Sequence, residues 1–222
     1  MKELSVQNLK VAVFDWDNTL AQSREPLLFC ISQVLKKFNL PEWEIVKEQR
    51  DNNLSFRDNF KNIFGINAEK AYEMYRQLYL KCAKNMIASY PKAKEVLEFF
   101  KNRNILVMVM SNKDRKLLEY ELPLIFPPEI FDNIVCGHEA PADKPSGQHL
   151  LYTLKNVMKK EEINSDNVWV IGDSPHDNLC AQNAGARAIR IGHDIWDNDD
   201  LLQNVTFFAS FADFYDRLVC DN

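Results

Sequence analysis

The chain has 222 residues, 46% of them hydrophobic, with 27 basic against 32 acidic side chains and a net charge of −5. That is enough apolar material for one large domain or a domain carrying an insertion. The basic residues form no long stripe of the kind a nucleic-acid polymer needs, and no apolar run approaches the roughly 20 residues of a membrane span. The opening "MKELSVQNLK" has no apolar signal-peptide core. The five cysteines are widely spaced with no C-x-x-C, so they read as small buried hydrophobes in a reducing compartment rather than a disulfide framework or a zinc site. The expectation is a cytoplasmic protein.

In chain order, residues 10–15 read as a short buried strand, in which Val11 to Phe14 run into Asp15 and Asp17. From 23 to 86 the pattern changes to apolar residues at helical spacing. Four candidate helices, "PLLFCISQVLKKF", "EWEIVKEQ", "SFRDNFKNIF" and "AEKAYEMYRQLYLKCAKNM", are punctuated by Pro41 and Gly65. After Pro91 helices and strands alternate. "PKAKEVLEFFKNRN" reads as helix and "ILVMVM" as buried strand, then "KDRKLLEYEL" as helix and "FDNIVC" as strand. "SGQHLLYTLKNVMKK" reads as helix and "NVWVIG" as strand. "HDNLCAQNAG" is a helix stopped by Gly185, "ARAIRI" is a strand, and "TFFAS" and "FADFYDRLV" close the chain. This alternation predicts an α/β fold, a Rossmann-like open, mostly parallel sheet covered by helices on both faces. Residues 1–22 and 87–222 are expected to form the α/β core, with 23–86 inserted after the first strand as an all-helical cap.

Open α/β sheets bind ligands outside the C-terminal ends of their strands. There the first strand offers Asp15, Asp17 and Thr19, the second Ser111, Asn112 and Lys113, and the fourth Gly172, Asp173 and Asp177. A loop before the preceding helix, "APADKPSG", offers Lys144. Singly, most have a plain structural reading: Ser-Asn as a helix N-cap, Lys144 as a solvated loop residue, Asp173 as a cap. Two carboxylates in one turn are different, because they repel when close and a purely structural turn rarely needs both.

Together, "DWDNT", "SN", the Lys144 loop and "GDSPHD" resemble, in order, the four motifs of the haloacid dehalogenase superfamily. The helical insertion just after the first motif resembles that of its helical-cap, phosphoglycolate phosphatase-like subgroup, and the likeness runs from about residue 10 to 192. The resemblance implies a Mg²⁺-dependent phosphatase that hydrolyses a small phosphomonoester through an aspartyl-phosphate. It implies Asp15 as nucleophile and Asp17 as proton donor and acceptor. Asp15, Asp173 and the backbone carbonyl of Asp17 would hold Mg²⁺, and Thr19, Ser111, Asn112 and Lys144 the phosphate. Asp177 would orient its neighbours from behind. The residue types suit the chemistry: a carboxylate approaching a phosphate needs a hard, oxygen-seeking cation and local positive charge to screen the repulsion.

Three positions in the first motif bear on the family pattern. Trp16 is expected to offer the site only its backbone, with its ring in the core. Asn18 stands where the family most often has Gly, and Asn tolerates the left-handed region. Thr19 is typical of the phosphatases rather than the phosphomutases. "DNNLSFRDNF", residues 51–60, resembles the cap loop that faces the active site, making Asn53, Ser55 and Arg57 candidates for contact with the non-reacting end of the substrate. The plain alternative for Arg57 is a solvated helix residue, and the Tyr and Phe residues of 56–80 read as cap core. The acidic stretch 193–200 reads as a solvated loop. The expected partner is a small phosphorylated metabolite, with no nucleic-acid polymer and no membrane, and the protein is expected to be a monomer or homodimer. Alternatives are a phosphotransferase or phosphomutase on the same site, a catalytically silent phosphate-binding relative, or a signalling receiver domain, which carries an acidic pair rather than D-x-D-x-T after its first strand.

Overall fold

A computed structural model describes residues 4–192 and 205–222; the acidic stretch 193–200 lies outside them. Among the described residues six strands form one sheet: β1 (Val11–Phe14), β2 (Leu106–Met110), β3 (Asn133–Val135), β4 (Val168–Gly172), β5 (Arg187–Ile191) and β6 (Thr206–Phe208). Their order is β3-β2-β1-β4-β5-β6 and every pairing is parallel. The central strands read as continuous apolar runs because both faces are covered. Ala12 and Phe14 of β1 and Trp169 and Ile171 of β4 face one apolar cluster, while Val11, Val13, Val168 and Val170 face another. Helices α5 (Ala93–Lys101), α6 (Arg115–Ile125) and α9 (Phe211–Asp221) cover the first face, and α7 (Gly147–Leu154) and α8 (Pro175–Ala184) the second.

Between β1 and α5 lie α1 (Arg24–Lys37), α2 (Trp43–Val46), α3 (Phe60–Phe64) and α4 (Ala68–Cys82). They gather a third apolar cluster that includes Leu27, Ile31, Val34, Trp43, Phe60, Tyr75 and Tyr79, with Leu117 of α6 packed against it. The two connecting segments run side by side: Gln22 N donates to Ala88 O at 2.8 Å and Tyr90 N to Leu20 O at 3.2 Å. Among the described residues no helix is long and apolar enough to cross a membrane.

Some elements differ from the sequence reading. Residues 55–59 form turns rather than the start of a helix, because Asn59 and Ser55 bond backbone groups and compete with the helical ladder. The segment 42–49 is one short helix followed by a 3₁₀ turn, Lys47–Gln49. Helix α7 stops at Leu154, although the apolar spacing continues through Val157, which ends 44% exposed. Helix α6 runs through Pro123 to Ile125, since a proline in the last turn removes only one ladder bond.

Phe60 is the centre of the third cluster, with the rings of Phe56, Phe64, Tyr72 and Tyr75 between 5.0 and 5.6 Å away. Phe60→Ala is expected to destabilise the protein by about 3–5 kcal/mol, measured as a lower midpoint of denaturant unfolding.

Candidate active site

The strand order reverses between β1 and β4, which opens a crevice at their C-terminal ends. Asp15 N donates to Ile171 O at 2.9 Å, stitching the loop after β1 to β4. That loop is a tight turn: Leu20 N and Ala21 N both donate to Trp16 O, and Asn18 N donates to Ala21 O at 2.7 Å. Asn18 takes a φ of 59°, the left-handed conformation that a family glycine adopts at no steric cost. Trp16 is fully buried, its ring edge-on to Phe126 and Phe131.

Lys144 joins the two sides of the crevice. Its Nζ lies 2.5 Å from Asp15 Oδ1 and 2.7 Å from Asp177 Oδ1, with all three residues buried. Burial pushes the Asp15 carboxyl up to about 7, against the pull of Lys144. Burial also acts to raise Asp177, but Lys144 and Ser174 outweigh it and hold it below the usual carboxylate range. Burial works against charge on Lys144, and the two carboxylates overcome it and raise its pKa. Asp177 Oδ2 accepts from Ser174 N at 3.1 Å and from Ser174 Oγ at 2.6 Å, the capping box of α8. The Asp177 side chain leaves no room for a larger residue at Gly172: a Cβ there would stand 2.2 Å from Asp177 Cγ.

The loop carrying Lys144 is clamped by its neighbours. Asn112 Nδ2 donates to Lys144 O at 2.8 Å, and Lys144 N donates to Asn112 Oδ1 at 3.0 Å and to His149 Nδ1 at 3.2 Å. Burial, reinforced by Lys144, lowers His149 to about 3, so this ring accepts as a neutral imidazole. Asp173 accepts from Thr19 Oγ1 at 3.1 Å. Asp15, Asp173 and Asp177 bring carboxylate oxygens within 4.8 Å of one another, all buried. An oxygen-only set of this kind suits a hard divalent cation.

Asp17 points elsewhere. Its Oδ1 lies 2.6 Å from Lys113 Nζ, whose other neighbours are Glu121 Oε1 at 2.8 Å and Tyr79 Oη at 3.3 Å. Above these groups lies a cavity of about 130 Å³, lined from the sheet by Asp15, Asp17, Asn18, Ser111, Lys144 and Asp173 and from the inserted helices by Arg50, Ser55, Phe56, Arg57, Tyr72 and Tyr75. The loop over the cavity is held by buried Asn59, whose Oδ1 accepts from Asp51 N and whose Nδ2 donates to the carbonyls of Asp51, Leu54 and Ser55. Arg57 reaches across to Asp143 at 2.9 Å and its Nε to Asp58 at 3.4 Å, and His138 Nε2 lies 3.2 Å from Asp58. Gly137 gives Arg57 its space, since a Cβ there would stand 2.8 Å from Nη1 and 2.4 Å from Asn112 O.

The structure therefore gathers Asp15, Asp17, Ser111, Asn112, Lys144, Asp173, Ser55 and Arg57 around one cavity, with Asp177 directly behind Lys144. Thr19 is fully buried, with its hydroxyl on Asp173 and outside the cavity lining. Asn53 is exposed, bonds Asp51 and stays out of the lining, which takes Asn52 and Leu54 instead. Arg57 is not solvated: its side chain is 13% exposed. Phe56, Tyr72 and Tyr75 serve both as helix-cluster packing and as cavity wall. The sequence placed Lys113 at a ligand-facing strand end without a specific role, and it gave no sign of Asn59 or His149. The available signal for Glu121 was a carboxylate on the apolar stripe Leu117, Leu118, Leu122 of α6.

The haloacid dehalogenase-like hydrolase family profile matches residues 12–191. The phosphoglycolate phosphatase of Mannheimia succiniciproducens is 25% identical over 192 residues, covering 81% of this chain and 84% of its own. Pyrophosphatase PpaX of Oceanobacillus iheyensis is 22% identical over 196 residues, covering 87% and 88%. The crystal structure of a predicted phosphoglycolate phosphatase from Haemophilus somnus superposes with a TM-score of 0.81 at 21% identity, covering 96% of this chain and 99% of that one.

Two outcomes are expected. A cation bound by Asp15 must displace its proton, so divalent-cation affinity should rise with pH towards about 7 and level off above it, with a proton released below that point. Calorimetric titrations in two buffers of different ionisation heat check this. Gly172→Ala should push Asp177 off Lys144 and lower the site's cation affinity and any turnover by at least about tenfold, read in the same titrations and in phosphate-release assays.

Proposed function

Because the chain belongs to the haloacid dehalogenase-like hydrolase family, we propose that it is a phosphatase acting on a small phosphomonoester through a phosphoryl group carried on Asp15. The observation that carries this reading is the pairing of Asp15 with Lys144 at 2.5 Å, beside Asp17 and Asp173 at the floor of one cavity. The named relatives that act on phosphoglycolate and on pyrophosphate and the cavity of about 130 Å³ support a small phosphorylated metabolite rather than a polymer.

Asp15 attacks phosphorus, forming the P–Oδ bond as the bond to the ester oxygen breaks. Asp17 gives its proton to the departing alkoxide. A water molecule then attacks the aspartyl-phosphate while the Asp17 carboxylate takes its proton. The P–Oδ bond breaks, releasing phosphate and restoring Asp15. Lys144, the Ser111 hydroxyl and backbone N–H groups of the Asp17 and Asn112 turns hold the phosphate oxygens. Asp15 and Asp173, with the Asp17 carbonyl, would hold a Mg²⁺-type cation, which would supply positive charge to the phosphate and the nucleophile. Thr19 fixes Asp173, and Asp177 fixes Lys144. The inserted helices close the cavity, exclude bulk water and meet the rest of the substrate.

A panel of phosphorylated metabolites assayed for phosphate release tests the reading. Wild-type protein should release phosphate from at least one small ester in Mg²⁺ and lose that activity in excess chelator. Asp15→Asn should lose at least about 10³-fold in kcat while remaining folded, as read by circular dichroism. Unimpaired turnover by Asp15→Asn would remove it as the nucleophile.

A further inference from the structure

Asp17 is supported by a chain of buried groups that the reaction as described does not use. Its carboxylate meets Lys113 Nζ at 2.6 Å, and Lys113 in turn meets Glu121 Oε1 at 2.8 Å. The other oxygen of Glu121 accepts from Trp16 Nε1 at 2.5 Å. Trp16 is the residue between the two catalytic aspartates, so the chain of contacts starts and ends in the same turn, passing through α6. Glu121 is fully buried and outside the cavity lining, and the Lys113 side chain is 6% exposed. Lys113 also sits over the Tyr79 ring, 4.7 Å from its centroid, and within 3.3 Å of its hydroxyl. Tyr79 belongs to α4, so the inserted helices close the last open side.

A buried ion pair is a weak source of stability, since well-packed apolar residues of similar volume replace such pairs at little or no cost. Glu121 occupies a stripe position where leucine would pack with Leu117, Leu118 and Leu122. What a carboxylate offers there, and leucine does not, is a fixed anchor with two acceptors. One takes the Trp16 indole and sets the base of the turn; the other takes Lys113 and sets the direction from which Asp17 is held. Proton transfer tolerates little error in the donor's position. We propose that Glu121 is a positioning residue for the acid–base step, fixing the Asp17 carboxylate through Lys113 and the turn through Trp16. This inference rests on the phosphatase reading, in which Asp17 protonates the leaving group.

The test separates positioning from general structural damage by the leaving group. An aryl phosphate departs without a proton, whereas an alkyl phosphate needs one. The measurement is the single-turnover rate of alcohol release, which reports only the first step, for para-nitrophenyl phosphate and for an alkyl phosphate that the wild-type protein turns over, phosphoglycolate being tried first. Glu121→Gln offers one acceptor where two donors converge. It should slow alkyl release by about 10- to 100-fold and aryl release by less than about threefold, and Glu121→Asp should recover part of the alkyl rate. Trp16→Phe keeps a ring against Phe126 and Phe131 and removes only the Nε1–H; it should show the same bias in smaller measure and carries the test if Glu121→Gln does not fold. Equal losses on both esters, or no loss on either, would overturn the positioning role. If wild-type protein releases alcohol from neither ester, the phosphatase reading itself fails, and the positioning role with it.

Discussion

One ammonium shared by two buried carboxylates organises the site. Lys144 between Asp15 and Asp177 leaves one more carboxyl than ammonium in a buried crevice, an arrangement that persists only if every member is held in place. Losing one partner would leave an uncompensated buried charge, so the surroundings are devoted to geometry. Asn112 and His149 hold the Lys144 backbone from two sides. The capping box of α8 takes the second oxygen of Asp177, and Gly172 clears room for that side chain. Sheet order brings β1 and β4 side by side, which is what puts Asp15 and Asp173 within reach of one another. The surplus carboxyl is what makes the place attractive to a cation.

The roof of the cavity obeys a different rule, in which charge is balanced within the protein. Arg57 is matched by Asp143 and Asp58, and Asp58 also meets His138. The rest of the roof combines Arg50, Ser55 and the apolar Leu27 and Leu54 with the rings of Phe56, Tyr72 and Tyr75, which are shared between the wall and the packing of the helices. Floor and roof thus differ in kind: one concentrates charge and the other offers shape. The contacts of Arg57 with Asp143, of Asp58 with His138 and of His176 with the Asn52 carbonyl are among those that join the two surfaces.

Most of the fold was legible because its signals are local. Buried parallel strands announce themselves as apolar runs such as "LVMVM" and "VWVIG", and residues that line the cavity follow each run immediately. The order of motifs carried the site further than any single residue did. What failed to read were features set by side-chain bonds that hydrophobic spacing does not report, some of them local and some between residues far apart in the chain. The turns at 55–59 look helical by spacing, and only the four bonds of Asn59 show why they are not. Thr19 looks like a phosphate contact until the fold places Asp173 beside it, 154 residues away. Glu121 on an apolar stripe was visible as an anomaly, but its partners Trp16 and Lys113 come together only through the packing of α6 against the first turn.

The two connecting segments run antiparallel, Gln22 bonded to Ala88 and Leu20 to Tyr90, and this has a consequence for what the insertion can tolerate. To the sheet, the excursion between them is a loop whose ends already meet, and lengthening such a loop adds closure entropy only logarithmically. The helices bring their own apolar cluster, so they ask little of the host in return. The roof can therefore be exchanged or expanded at little cost to the sheet that carries the floor, because the excursion leaves and rejoins that sheet at one place.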